Sequence, residues 1–338
     1  MRILVCTANG SLEYQASEKP VLTKDHAIIK IKRIGICGTD LHAFEGTQPY
    51  FTYPRILGHE LAGELLDADS APGFKTGEKI TFIPYVNCGY CIACRSQKPN
   101  CCLNLKVIGV HIDGGMTEYL SVPSKLLVHG QGLCFDELAL VEPLAIGAHG
   151  IRRAKVKPNE FVLVIGAGPI GLGAMEFAHI AGGKVIAMDV NESRLQFCKE
   201  KLKVEYIINS HASNVDEKLK AITNGDMPTV VIDATGNQNA INNGFNYIAH
   251  GGRYVLIGLQ KGEIQFSHPE FHKREGTLMS SRNATRADFD QVIDVIKQGL
   301  IDPLPYITHR VDFEDVPDNF ERWLNPATGV IKAMISIS

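Results

Sequence analysis

The sequence predicts an α/β chain, with a mainly-β, partly open barrel in its first part and a doubly wound parallel sheet after it. Three observations carry this expectation. Up to about residue 145, short apolar runs of strand length are punctuated by Gly, Pro and Asp. From 161 onward, short apolar strands alternate with helical segments. A glycine-rich turn joins the first of those strands to the first of those helices.

Residues 26–36 alternate in part between apolar and basic side chains, as a half-exposed strand does. Strand-like runs recur at 61–66, 79–86, 118–122 and 126–128. In the second region, 161–166, 184–188, 206–208, 229–233, 253–258 and 277–280 read as six strands. Helical patterns over 170–181, 192–202, 214–223 and 238–247 fill the gaps, the rhythm of a parallel sheet. After 287 one more helix is expected over 288–297, with Phe289, Val292, Ile293 and Ile296 on one face. Residues 329–338 alternate as a final strand. The expected division is 1–145, 146–287, and a segment 288–338 that returns to the first domain.

A chain of 338 residues with 45% hydrophobic and 21% charged side chains has the balance of a two-domain globular protein. The 34 basic and 37 acidic groups give 34 − 37 = −3, which offers no broad footprint for nucleic acid or an anionic membrane. Residues 161–182 are long and apolar enough to suggest a membrane span, but five interior turn-formers, from Gly166 to Gly173, favour a strand, a turn and a buried helix. The apolar run before Asn9 is too short for a signal-peptide core. A cytoplasmic protein is expected.

The nine cysteines form an odd set in a chain far longer than a disulfide scaffold. Cys88, Cys91, Cys94 and Cys102 stand in C-x2-C-x2-C-x7-C spacing. Two-residue gaps let a tight loop turn successive thiolates toward one zinc ion. Neighbours in an extended segment face opposite ways, so one of Cys101 and Cys102 completes the set, and the spacing selects Cys102. Four sulfurs leave no open position, so this zinc is structural. Arg95 and Lys98 are the loop's only basic residues, too few for a nucleic-acid module.

Gly166-Ala167-Gly168-Pro169-Ile170-Gly171 follows a strand and opens a helix, and Asp189 closes the next strand. In that context G-x-G-x-x-G is a dinucleotide fingerprint of the Rossmann kind. Gly166 permits the turn, Gly168 admits a pyrophosphate, and Gly171 lets helix and strand pack. Asp189 suits the ribose hydroxyls of NAD and would repel the 2′-phosphate of NADP. Arg194 is a candidate for the adenine face. Ala234, Thr235, Gly236, Ile257 and Gly258 end the fourth and fifth strands, where a ligand crosses such a sheet.

Three further motifs stand outside the cysteine loop: residues 35–42 (Gly-Ile-Cys-Gly-Thr-Asp-Leu-His), 58–60 (Gly-His-Glu) and Glu142-Pro143. Together with 88–102 and 166–171, they stand in the order and approximate spacing of zinc-dependent medium-chain dehydrogenases. The whole chain resembles that family, and within it the polyol (sorbitol-like), L-threonine and sugar-acid branch. The family's structural loop usually has a glycine where Gln97 stands, a departure that touches a turn and no ligand.

The resemblance implies a GroES-like catalytic domain and two zinc ions, one structural and one catalytic. Cys37, His59 and a glutamate would hold the second, leaving one position for an alcohol. Glu60 and Glu142 both match glutamates of such sites; Glu60 is favoured as the resting ligand, with Glu142 holding or replacing the water. Thr39 and His42 would relay the alcohol proton to solvent, and Asp40 braces its loop. Residues 44–57 should line the substrate mouth, with Gln48, Tyr50 and Arg55 as candidate contacts and Arg282 and Asn283 approaching from the sixth strand. The stretch 46–51 looks like that of sugar-acid dehydrogenases acting on aldonates such as L-galactonate. Hydride exchange between NAD and a secondary alcohol of a polyol or sugar acid is therefore expected. L-Threonine is the rival substrate, and a zinc-free quinone-reductase-like or non-catalytic relative is the rival class. Relatives in this branch are tetramers or dimers, so a homo-oligomer is expected.

Overall fold

A computed structural model describes residues 1–49, 51–68 and 71–338. The chain divides into two compact units: one joins Met1–Glu142 to Thr285–Ser338, and the other spans Pro143–Ala284.

The first unit is built on a sheet ordered Leu127–His129, Lys79–Phe82, Glu60–Leu65, His26–Gly35, Lys332–Ser336, Ile307–Asp312, with Tyr119–Pro123 also paired to the long His26–Gly35 strand. That long strand alternates buried and half-buried side chains, so Ile29, Ile31 and Ile34 enter the core. The core continues through Leu61, Leu65, Ile80 and Phe82 to Phe313, Phe320 and Trp323. A register detail fixes the site. Gly35, the last residue of its strand, lies opposite Glu60, the first of its own. On the other side Met334 pairs with Gly35, and Ile36 N–H donates to the Ala333 carbonyl, which brings Lys332 to the level of Cys37. Three strand ends thus meet at one edge.

The second unit is a six-stranded parallel sheet ordered Tyr206–Asn209, Lys184–Asp189, Phe161–Ile165, Val230–Asp233, Arg253–Leu256, Thr277–Ser280. The first strand in sequence sits at its centre, with the next strands added to opposite sides, so the order reverses there and opens a crevice at the carboxyl ends. Phe161–Ile165 is buried on both faces, which explains its continuous apolar run. The fold class agrees with the α/β expectation in both parts.

Several local expectations differ. Glu142-Pro143 was expected as a turn, but it opens the helix Val141–Ala154. Proline fits a first helical turn because its missing N–H would have no intrahelical acceptor. The run 79–86 is two strands, Lys79–Phe82 and Tyr85–Val86, interrupted by Pro84, which has no N–H to give a ladder. Beyond Arg286–Lys297, where a single helix was expected, lie the strand Ile307–Asp312 and the helix Val316–Leu324. The latter buries Val316, Phe320 and Trp323, a four- and three-residue spacing on one face. Among the described residues, no helix is long and apolar enough to cross a membrane.

Candidate active site

The cysteine loop gathers its sulfurs. Ligand atoms of Cys88, Cys91, Cys94 and Cys102 all lie within 4.8 Å of one another. Cys91 Sγ is 3.5 Å from Cys94 Sγ and 3.9 Å from Cys102 Sγ. Four sulfurs at about 2.3 Å on tetrahedral corners would stand roughly 3.8 Å apart, so the cluster fits zinc and is far too open for disulfides. Cys102 is buried within the group, whereas Cys101 is exposed. Backbone groups of Cys94 and Leu103 pull the Cys91 thiol down to about 6, while burial pushes Cys102 up to about 11. A cation is what would let all four ionise together. Gln97 takes φ 58, the left-handed region that favours glycine, yet no ligand is displaced.

A second cluster joins Cys37, His59 and Glu60, again with ligand atoms within 4.8 Å of one another. Cys37 precedes the helix Gly38–Phe44, and His59 follows Gly58, whose φ of 94 turns the chain into the Glu60 strand. Asp40 ties the two pieces together. Fully buried, it accepts from Cys37 N–H at 3.0 Å through one oxygen and from Gly58 N–H at 3.1 Å through the other. Glu60 occupies space that only a glycine opposite could leave, since a Cβ on Gly35 would stand 2.2 Å from its Oε2.

Lys332 completes the arrangement. Its ammonium donates to both Glu60 oxygens at 2.6 Å and to the Ile36 carbonyl at 3.0 Å, and both side chains are 1% exposed. Burial works against the lysine charge, but Glu60 and Cys37 outweigh it and hold the Lys332 pKa above the ordinary value. Glu142 faces the same centre, and the buried Tyr85 hydroxyl donates to its Oε1. Burial, opposed by His59 and reinforced by Glu60, pushes the Glu142 carboxyl up to about 7.

These residues fit a metal ion. Among the described residues His59 Nδ1 is buried without a hydrogen-bond partner, because Asp40 Oδ1 is 3.6 Å away, too far for a bond. Burial disfavours a charge on His59, yet Asp40 and Cys37 raise its pKa well above the usual value; the same anions would draw a cation. Thiolate, imidazole and carboxylate are zinc donors, and three of them leave a position open.

Thr39 and His42 lie three residues apart on the helix Gly38–Phe44, spacing that puts them on one face. Thr39 is half-buried and His42 exposed, its Nδ1 lying 3.4 Å from Glu45 and 3.3 Å from Thr47. Gln48 Oε1 is buried without a hydrogen-bond partner among the described residues. Arg55 is already engaged, by Asp113 at 3.2 Å and Thr52 at 3.2 Å. Tyr50 lies outside the described residues.

In the second unit, Gly166 has φ 100, and a Cβ on Gly171 would stand 1.8 Å from the Gly166 carbonyl. Around Gly168 a Cβ would meet nothing within 4 Å, so the backbone is open to an approaching phosphate. Gly168 is the N-cap of Pro169–Ile180, a helix that presents free N–H groups and a partial positive charge there and that contains Ile170. Asp189 accepts from Ala167 N–H at 2.6 Å and Asn191 N–H at 2.8 Å, which locks it beside the glycine turn. Arg194 lies in the first turn of the next helix, its N–H capped by Asn191. The buried Asp233 carboxylate accepts from Thr235 and Gly236, while its carbonyl accepts from Ile257 and Gly258 N–H. It thereby welds the Ala234–Gly236 loop to the next. Arg282 and Asn283 follow the sixth strand, Asn283 with φ 53.

Sequence reasoning missed Lys332, Tyr85 and Asp233. A lysine inside the apolar run 330–335 was a visible signal for the first. The other two needed the fold.

Residues 23–131 match the alcohol dehydrogenase GroES-like domain, and residues 169–298 match the zinc-binding dehydrogenase family. The L-galactonate-5-dehydrogenase of Escherichia coli is 44% identical over 99% of both chains. The chain belongs to the zinc-type medium-chain dehydrogenases. Sorbitol dehydrogenase from Halalkalibacterium halodurans is 30% identical, covering 91% of this chain and 92% of the relative. The solved structure of an Escherichia coli alcohol dehydrogenase, RspB, complexed with NADH superposes with TM-score 0.92 at 29% identity, over 100% of this chain and 99% of the other. This medium-chain dehydrogenase is an oxidoreductase of the zinc-dependent alcohol dehydrogenase type.

Proposed function

We propose that this dehydrogenase exchanges hydride between NAD and a secondary alcohol of a sugar acid, an aldonate of the L-galactonate kind. The observation that carries the reaction class is the convergence of Cys37, His59 and Glu60 beside a buried, unpartnered imidazole nitrogen. Identity of 44% over nearly the full length to an L-galactonate-5-dehydrogenase supports the substrate class.

In this reading Cys37, His59 and Glu60 hold the catalytic ion, Glu142 stands ready as an alternative oxygen donor, and the four-cysteine loop holds a structural ion. Zinc bound there would supply Lewis acidity that eases ionisation of the substrate hydroxyl. NAD would accept the hydride that leaves the carbinol carbon, so that an alcohol and NAD⁺ become a ketone, NADH and a proton. Thr39 accepts that proton on its hydroxyl and passes its own to His42, whose exposed ring delivers it to water. Asp189 favours NAD over NADP, and Gly166, Gly168 and Gly171 shape the turn that receives the pyrophosphate. Gln48 offers its buried oxygen to a substrate hydroxyl. Arg55 serves the same mouth by bracing its loop against Asp113. A homo-oligomer of the family's dimeric or tetrameric kind is proposed. Thiolate clusters need a reducing compartment, which supports a cytoplasmic location.

The test is an NADH-formation screen over L-galactonate, other aldonates, polyols and L-threonine, with a chelator control and metal analysis. Turnover of aldonates, abolished by the chelator, with two zinc ions per chain is expected. Inert aldonates with active threonine would refute the substrate class, and one ion per chain would refute the catalytic centre.

A further inference from the structure

We propose that Lys332 is the positioning residue of the Cys37–His59–Glu60 centre: by gripping both oxygens of Glu60, it fixes how that carboxylate meets the ion. The inference rests on the reading of those three residues as zinc ligands.

A lysine ammonium has three N–H donors. All three are committed, two to Glu60 and one to the Ile36 carbonyl, so Lys332 has none left for a substrate. Ile36 precedes Cys37, so the same ammonium anchors one ligand directly and the other through its neighbour's backbone. Each Glu60 oxygen keeps a lone pair, and the bare Gly35 opposite gives the carboxylate its berth.

Charge explains why a cation would sit there. A divalent ion with ionised Cys37 and Glu60 and the buried Asp40 carboxylate carries a net negative charge, which Lys332 cancels. A cation beside a metal site weakens metal binding by simple repulsion. Its burial at 1% exposure, wholly bonded to a ligand, therefore points to control of the ligand and not to metal affinity.

The experiment replaces the charge while keeping the length, with Lys332→Met, and compares it with Glu60→Gln and with the double variant. Readouts are zinc affinity of the centre by chelator competition, the visible spectrum after cobalt substitution, and denaturant stability with and without metal. Released from the lysine, Glu60 should close on the ion: zinc binds at least about tenfold more tightly, and the cobalt bands shift. The metal-free variant should unfold earlier, because a buried carboxylate has lost its partner. In the Glu60→Gln background only the direct repulsion between the ammonium and the ion is lifted, so Lys332→Met should raise affinity by less than in the single variant and leave the cobalt spectrum unaltered.

Equal changes in both backgrounds, or an unaltered spectrum and affinity in the single variant, would overturn the inference and leave Lys332 a structural tie. A single ion in the unaltered protein would overturn the zinc reading itself, and this inference with it. The metal count of the unaltered protein therefore separates the two failures.

Discussion

Asp40 makes the most quantitative prediction. Its carboxylate bonds two backbone N–H groups on separate pieces of chain, Cys37 at 3.0 Å and Gly58 at 3.1 Å, and it is fully buried. Hydrogen bonds to a charged acceptor are worth about 1.5–3 kcal/mol each, and Asp40→Ala leaves both donors stranded away from water. The expected loss is therefore about 3–6 kcal/mol. Asp40→Asn keeps one acceptor oxygen and should lose about half of that. Trp323, the chain's single tryptophan, is buried beside Phe320 in the same unit, so its fluorescence follows unfolding of this unit in urea. The loss should be accompanied by release of the ion from the Cys37 centre, since both ligand-bearing pieces come loose, while the four-cysteine ion stays. A loss under about 1 kcal/mol, with both ions retained, would refute the bracing argument by showing that the two donors find other partners.

Three further outcomes follow from the same geometry. Gly35→Ala puts a methyl 2.2 Å from Glu60 Oε2 and 3.0 Å from its Cβ, so it should destabilise the unit by about 1–3 kcal/mol and reduce metal content from two ions to one; unchanged metal content would contradict it. Glu142 holds its proton up to about 7 in the fold against a reference of 4.5, so its contribution to stability is full below 4.5 and is lost as pH rises through 7. In metal-stripped protein this term amounts to about 3 kcal/mol between pH 4.5 and 8, and Glu142→Gln should flatten that slope in urea titrations; an equal slope in the variant would rule it out. Thr39→Ala should lower turnover about 10²-fold with both ions bound, and an unchanged rate would remove Thr39 from the proton path.

What the sequence made legible was what local spacing encodes. Two-residue gaps announced the sulfur cluster, and a glycine turn between strand and helix announced the nucleotide crevice, because each feature is complete within a few residues. The convergence of residues from distant segments was harder to read. Lys332 and Glu60 are 272 positions apart, and Tyr85 and Glu142 are 57 apart; their pairing follows from strand register and helix placement, which no local pattern states. Cys37 and His59 could be tied to one ion only through family resemblance, since the register of Gly35 against Glu60 is what brings them to one sheet edge. Glu142 is visible in the sequence as a candidate ligand, but Pro143 reads as a breaker, and only the fold shows the pair opening the helix Val141–Ala154.

The first unit is interrupted by the second, and that has a consequence for biogenesis. The Pro143–Ala284 unit is one uninterrupted stretch, able to fold as soon as it clears the ribosome. The unit bearing the Cys37 centre must wait, half made, for Thr285–Ser338 to supply the strand that pairs with His26–Gly35. During that interval the Arg33–Gly35 end of the long strand lacks its partner and Glu60 has no counter-charge, so an ion captured early would meet an unfinished pocket. Nascent chains stalled before residue 332 should consequently be prime clients for chaperones.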